Sequence, residues 1–223
     1  MKFETYPDRE FLMLGLANVI AGQLADFLRR EGRASLSVPG GTTPGPIFDT
    51  LSGVDLDWAQ VAVFLNDERW VGEDSPRSNT RLLRERLLRG KAAAATLVPL
   101  YAPGETPEGQ MAALAEGLRP HLPISVLLLG MGADMHTASL FPGADRLAEA
   151  LAADAPILLP MRAEAAGEPR ITLTAPVLAG AMNIHILITG PEKRAAIERA
   201  AGLSAQDAPV AAVLKNATVH WAE

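Results

Sequence analysis

Cysteine is missing from the 223-residue chain. That absence excludes disulfides, thiolate metal sites and a cysteine nucleophile. An excess of positive charge is missing as well. Lys+Arg 20 against Asp+Glu 26 leaves a formal net charge of −6, with a pI near 5.3. Such a chain is a poor non-specific nucleic-acid binder, and an anionic substrate would need a basic pocket set against the global sign. The first residues, Met1-Lys-Phe-Glu-Thr-Tyr-Pro7, lack the apolar core of a signal peptide, and no apolar run reads as membrane-spanning. The expectation is a cytoplasmic protein with neither membrane nor nucleic acid as partner. Repeats, heptads and low-complexity stretches are also lacking. What remains is 48% hydrophobic with a mean hydropathy of +0.13, enough for one domain over residues 1–223 with a substantial core.

Short strands and helices alternate along the chain. Residues 10–31 carry apolar side chains at helical spacing and stop at Gly32. Residues 34–38, 61–65, 96–100, 124–129, 156–159, 170–174, 183–189, 210–213 and 218–221 read as strands. Helices are expected over 47–51, 80–88, 145–153 and 191–201, with a short one from Ala175. Another opens on Thr106 as N-cap with Pro107 at its first position and stops at Pro120. Alternation of this kind implies parallel βαβ crossovers and predicts a three-layer, doubly wound, Rossmann-like α/β fold.

Two loops carry chemistry. Residues 34–38 run into Pro39-Gly-Gly-Thr-Thr-Pro44, with a helix following. A strand, a glycine-rich turn and a helix start offer backbone N–H groups and a helix dipole to an anion. Gly40 and Gly41 allow close approach, Thr42 and Thr43 add hydroxyls, and Pro44 suits the first helical turn. The same residues also read as a plain strand-to-helix turn. They are not a Walker loop, because the Gly-Lys-Ser/Thr ending is missing. The second loop is Gly130-Met-Gly-Ala-Asp-Met-His-Thr-Ala-Ser-Leu-Phe-Pro-Gly143. It lacks the third glycine of a dinucleotide fingerprint, which argues against NAD. It leaves the carboxyl end of a strand, where open α/β sheets bind ligands, and it presents Asp134, His136, Thr137 and Ser139. On spacing alone it reads equally as a glycine-rich turn with a surface histidine. Of the four histidines, His185 lies within an apolar strand and reads as structural, and His121 and His220 read as surface residues. His136 is the candidate for proton transfer, since imidazole titrates near neutrality.

Taken in order, Gly40-Gly-Thr-Thr-Pro44, Asn66-Asp-Glu-Arg-Trp70, Ser78-Asn79, Gly130 to Pro142, Arg170-Ile-Thr-Leu-Thr174 and Thr189-Gly-Pro-Glu-Lys193 resemble sequence blocks of the 6-phosphogluconolactonases. These are a branch of the glucosamine-6-phosphate isomerase/lactonase superfamily, and the blocks cover most of the chain. The resemblance implies hydrolysis of 6-phospho-D-glucono-1,5-lactone to 6-phosphogluconate, with no metal or cofactor, in a monomer or small homo-oligomer. It implies His136 as general base, with Asp134 and Asp67 orienting it or holding sugar hydroxyls. Thr42, Thr43, Arg170 and Lys193 match phosphate-holding positions, while Gly40 and Gly41 let the backbone approach and Arg69 offers a cation to a developing oxyanion. Ser139 lacks the Gly-x-Ser-x-Gly context of an esterase nucleophile.

The sister deaminases carry a catalytic Glu where this chain has Phe141, and a non-catalytic sugar-phosphate binder is a third reading. One residue departs from the family pattern: Met135 stands where the family has Gly. The expectation is a loop that accommodates Met135 at negative φ.

Overall fold

The apolar runs at 61–65, 126–129 and 184–188 bury every side chain. Strands of that kind require cover on both faces, as in a parallel sheet flanked by helices. A computed structural model, describing residues 1–223 apart from the side chain of Ala165, has that arrangement. Its strands are β1 (Lys2–Thr5), β2 (Ala34–Val38), β3 (Val61–Leu65), β4 (Asp67–Arg69), β5 (Thr96–Leu97), β6 (Val126–Gly130), β7 (Leu158–Met161), β8 (Arg170–Leu173), β9 (Ile184–Thr189) and β10 (Ala217–Ala222). Its helices are α1 (Arg9–Glu31), α2 (Gly45–Ser52), α3 (Asn79–Arg86), α4 (Met111–Leu118), α5 (Leu147–Leu151), α6 (Ala175–Ala179), α7 (Pro191–Ala200) and α8 (Ala211–Leu214).

Seven strands form one parallel sheet in the order β1-β10-β9-β6-β2-β3-β5. The chain winds outward from β2 through β3 to β5. It then returns to the other side of β2 and winds out through β6, β9 and β10. The direction reverses between β2 and β6, and a crevice opens outside their carboxyl ends. Asn66 ties that region together. Its side-chain N–H donates to the Leu128 carbonyl at 2.8 Å and its Oδ1 accepts from Ser37 Oγ at 2.6 Å.

A second, antiparallel sheet, β4-β8-β7, continues from the end of β3. Sequence periodicity did not anticipate it as a separate sheet, because three- and four-residue strands carry too little pattern. β1 was also missed; it is a four-residue edge strand paired with β10.

Helix α1 begins at Asp8, whose carboxylate accepts from Phe11 N–H at 2.9 Å, and ends at Gly32 with φ 69. Leu12, Leu16, Ile20 and Leu24 form its fully buried stripe. By length and hydropathy (1.6 over its most apolar 18 residues) α1 is long and apolar enough to cross a membrane, contrary to expectation. The stripe instead packs into the protein core.

Several element boundaries also differ from the sequence reading. Residues 210–213 are not a strand: Val210 caps the short helix α8. β5 is two residues rather than five, β7 starts two residues late, and α5 covers only the middle of its predicted range. Thr106 does not cap α4, which is entered through a 3-10 turn over Glu108–Gln110 behind Pro107. Pro44 precedes the first turn of α2, where Pro46 sits instead.

His220 is 1% exposed, not a surface residue, because β10 is covered by β1 and α1. Gln23 Oε1 accepts from His185 Nε2–H at 2.8 Å, which leaves His185 Nδ1 to accept from His220 Nε2–H at 2.9 Å. Tyr6 O–H then donates to His220 Nδ1 at 2.9 Å. With both rings neutral every ring nitrogen in this series has a partner. Burial lowers the pKa of His185 to about 4 and that of His220 to about 3, His185 and Lys2 adding to the latter and Glu4 opposing it.

Folded pKa values below the ordinary 6.5 mean that the unfolded chain takes up protons first. The stability this contributes is complete above pH 6.5 and is lost as pH falls toward 4. Each ring costs about 2 kcal/mol by pH 5. Melting temperatures measured from pH 7.5 to 4.5 should fall more steeply for the wild type than for a His185→Gln/His220→Gln variant. Parallel slopes in the two proteins would contradict the neutral chain.

Candidate active site

The crevice at the β2/β6 reversal holds a cavity of about 380 Å³. Its wall includes Gly40, Gly41 and Thr43 after β2, Asp67 and Arg69 on β4, Gly130 at the end of β6 with Gly132 and His136 beyond it, Arg170 on β8, and Lys193 on α7. Five separate segments therefore converge at the carboxyl edge.

The loop after β6 doubles back on itself. Gly132 N–H donates to His136 O at 3.0 Å and Met135 N–H to Gly132 O at 3.0 Å. A Cβ on Gly132 would fall 2.2 Å from His136 Nδ1, so a glycine is required for the ring to lie against that backbone. Asp134 Oδ1 accepts from the backbone N–H of His136 at 3.2 Å and from its Nδ1–H at 2.6 Å. With Nδ1 protonated toward the carboxylate, Nε2 carries the lone pair of the neutral ring. The Phe141 ring lies 4.5 Å from the imidazole centroid.

Met135 has φ 67, and Ala138 in the same loop has φ 48. The negative φ expected for Met135 is thus wrong: the turn between Asp134 and His136 is left-handed with methionine in place. A left-handed non-glycine residue costs on the order of 1–3 kcal/mol. Partial burial of the Met135 side chain against the core offsets some of this.

The opposite wall is cationic. In the β4–β8 register Arg69 lies directly across from Arg170, and like charges in that relation repel. Arg170 is 9% exposed. Its nearest carboxylate oxygens, on Asp67 and Glu168, are 3.7 and 3.8 Å away, too far for hydrogen bonds. The Nε atoms of Arg69 and Arg170 are both buried without a hydrogen-bond partner. Burial lowers the Arg170 pKa, with Asp67 and Glu168 opposing and Arg69 and Arg77 adding to the shift. Arg69 and Arg170 each make one hydrogen bond to a backbone carbonyl, of Arg77 and Ala166, and their remaining donors have the charge and geometry to accept an anion as partner. Lys193, in the first turn of α7, adds a cation with no ion-pair partner among the described residues.

Other groups hold these in place. Asp67 is 7% exposed, and its Oδ2 accepts from Ser139 Oγ at 2.5 Å. Ser139 is fully buried and committed to that bond, which leaves it no nucleophilic role. The Glu68 carboxylate, 0% exposed, accepts from the N–H groups of Arg69, Asn79 and Thr80 and from the hydroxyls of Ser78 and Thr80. It fastens β4 to the start of α3 and so fixes the strand that carries Asp67 and Arg69. Sequence reasoning missed this role, since an acidic residue between Asp67 and Arg69 reads as part of a solvated polar cluster.

Asn79 was also missed as a wall residue; a Cβ on Gly40 would fall 2.1 Å from its side chain. Of the residues expected at the site, Gly40, Gly41, Thr43, Asp67, Arg69, His136, Arg170 and Lys193 converge on the cavity. Thr42 is exposed and off the wall. Asp134 acts from behind His136, off the wall itself.

A second cavity, of about 410 Å³, opens at the opposite, amino-terminal edge of the sheet between Arg33, Gln60, His121 and Met182. Glu31 and His121 both line it, but among the described residues it has no hydrogen-bonded carboxylate–imidazole pair like Asp134 and His136.

The glucosamine-6-phosphate isomerase/6-phosphogluconolactonase family model matches residues 7–221. A 6-phosphogluconolactonase from Rhizobium meliloti is 44% identical over 93% of this chain and 92% of its own length. One from Mesorhizobium japonicum is 42% identical over 99% and 94%. The crystal structure of a 6-phosphogluconolactonase from Shewanella baltica superposes with a TM-score of 0.96 at 34% identity, covering 100% of this chain and 98% of that one. A family model matched over nearly the whole chain, and relatives at 44% and 42% identity aligned almost end to end, show that the chain belongs to the glucosamine-6-phosphate isomerase/6-phosphogluconolactonase family.

Proposed function

We propose that this protein is a lactonase that hydrolyses 6-phospho-D-glucono-1,5-lactone to 6-phosphogluconate. The observation that carries the reading is one cavity with an imidazole base on one wall and two guanidinium groups with unpaired Nε atoms on the other. A substrate with an anionic end and a hydrolysable carbonyl meets both. His136 Nε2 takes a proton from water as its oxygen adds to C1, and Asp134 stabilises the imidazolium that forms. Arg69 is assigned to the charge that develops on the former carbonyl oxygen. The imidazolium then returns the proton to the ring oxygen as the C1–O bond breaks. Arg170, Lys193, Thr43 and the backbone at Gly40 and Gly41 hold the phosphate. Asp67, oriented by Ser139, faces the sugar hydroxyls.

The deaminase reading lacks support because Phe141, beside the His136 ring, cannot exchange protons. The non-catalytic reading lacks support because Asp134 and His136 retain their hydrogen bond. Freshly prepared 6-phosphogluconolactone, followed in a pH-stat and corrected for spontaneous hydrolysis, should be turned over in proportion to protein concentration. Binding without turnover would leave only a sugar-phosphate receptor.

A further inference from the structure

Met135 lies between the two residues whose side chains make the Asp134–His136 hydrogen bond, yet it is not on the cavity wall. Its left-handed backbone is held from both sides. Its N–H donates to Gly132 O at 3.0 Å, and its carbonyl accepts from Val210 N–H at 3.1 Å. Val210 is fully buried and leads into α8, where Val213 and Leu214 are buried in turn. The Met135 side chain is half-buried against the same core. A glycine here would adopt the left-handed turn freely, but it would adopt other conformations as freely. Alanine would keep the unfavourable φ and lose the anchor. The backbone bond to Val210 is open to any residue, but only a long apolar side chain adds a second tie to the core.

We propose that Met135 is a positioning residue, a core-anchored strut that, with the Val210 bond, holds the left-handed turn presenting His136 to its substrate. The rate consequence rests on the lactonase reading above. Because Met135 does not touch the cavity, its effect falls on kcat and leaves KM nearly unchanged.

The test compares Met135→Gly, Met135→Ala and Met135→Leu with the wild type by lactone kinetics, melting temperature and the NMR signal of the hydrogen-bonded His136 Nδ1 proton. Small displacements of a reacting group carry large rate effects, and loosening this turn should lower kcat roughly three- to tenfold in the glycine variant. The alanine variant should lose at least as much, KM should stay within about twofold, and leucine should restore kcat to within about twofold of wild type. The Nδ1 proton signal should broaden in the glycine and alanine variants under conditions where both remain folded. A glycine variant with wild-type or higher kcat and an unchanged proton signal would overturn the proposal, as would losses that only track melting temperature. If the wild type itself fails to hydrolyse the lactone, the functional reading falls. The proton signal then still decides whether Met135 positions His136.

Discussion

His136→Ala should lower kcat for 6-phosphogluconolactone by about 10²–10⁴-fold, the contribution of a positioned general base. KM should change little, because the cationic wall that binds the phosphate is left intact. Asp134→Asn should also lower kcat. An amide at that position can donate to Nδ1 instead of accepting from it, which moves the ring proton to Nε2 and removes the basic lone pair from the reacting side. The lactone hydrolyses spontaneously, so each rate must be read above the buffer rate at the same pH. Wild-type kcat in His136→Ala would show that water is activated elsewhere and would remove the mechanism proposed for this site.

Lys193→Ala and Arg170→Ala should lower kcat/KM for the phosphorylated lactone while leaving unphosphorylated gluconolactone nearly unaffected. A charge-assisted hydrogen bond contributes roughly 1.5–3 kcal/mol, about ten- to a hundredfold in kcat/KM. Lys193 is the cleaner probe, because it forms no ion pair among the described residues. Arg170 is buried beside Asp67 and Glu168, so its removal also strands carboxylates, and the melting temperature must be followed alongside. Arg69→Ala should behave differently and slow both substrates, since its assigned role is at the reacting carbonyl. Equal losses on both lactones in the Lys193 variant would detach that residue from the phosphate.

Much of the site is legible in the sequence because its residues sit where local pattern is strongest. Gly40, Gly41, His136 and Lys193 each follow a short segment that reads as a strand and becomes β2, β6 or β9. In a parallel sheet every such run ends at the same edge. The errors arise where a neighbour distant in sequence decides the environment. His220 looks like a terminal surface residue until β1 and α1 cover β10. Residues 210–213 are apolar and β-branched enough to read as a strand, but the chain there turns into α8 and meets Met135. Nothing local to Glu68 announces that three backbone N–H groups and two hydroxyls converge on it.

The sequence by itself determined the α/β alternation, the single domain and the family, and it pointed to Gly40, Gly41, Thr43, Asp67, Arg69, His136, Arg170 and Lys193, which the fold gathers on the wall of one cavity. These follow from periodicity, glycine placement and ordered motifs, all local properties of the chain. Only the tertiary structure decided that Arg69 faces Arg170 across an antiparallel pair, that Ser139 is spent on Asp67, and that Met135 is left-handed. Each depends on a contact between segments tens of residues apart or on a backbone angle fixed by such contacts. Side-chain identity does not encode those relations until the sheet brings the segments together.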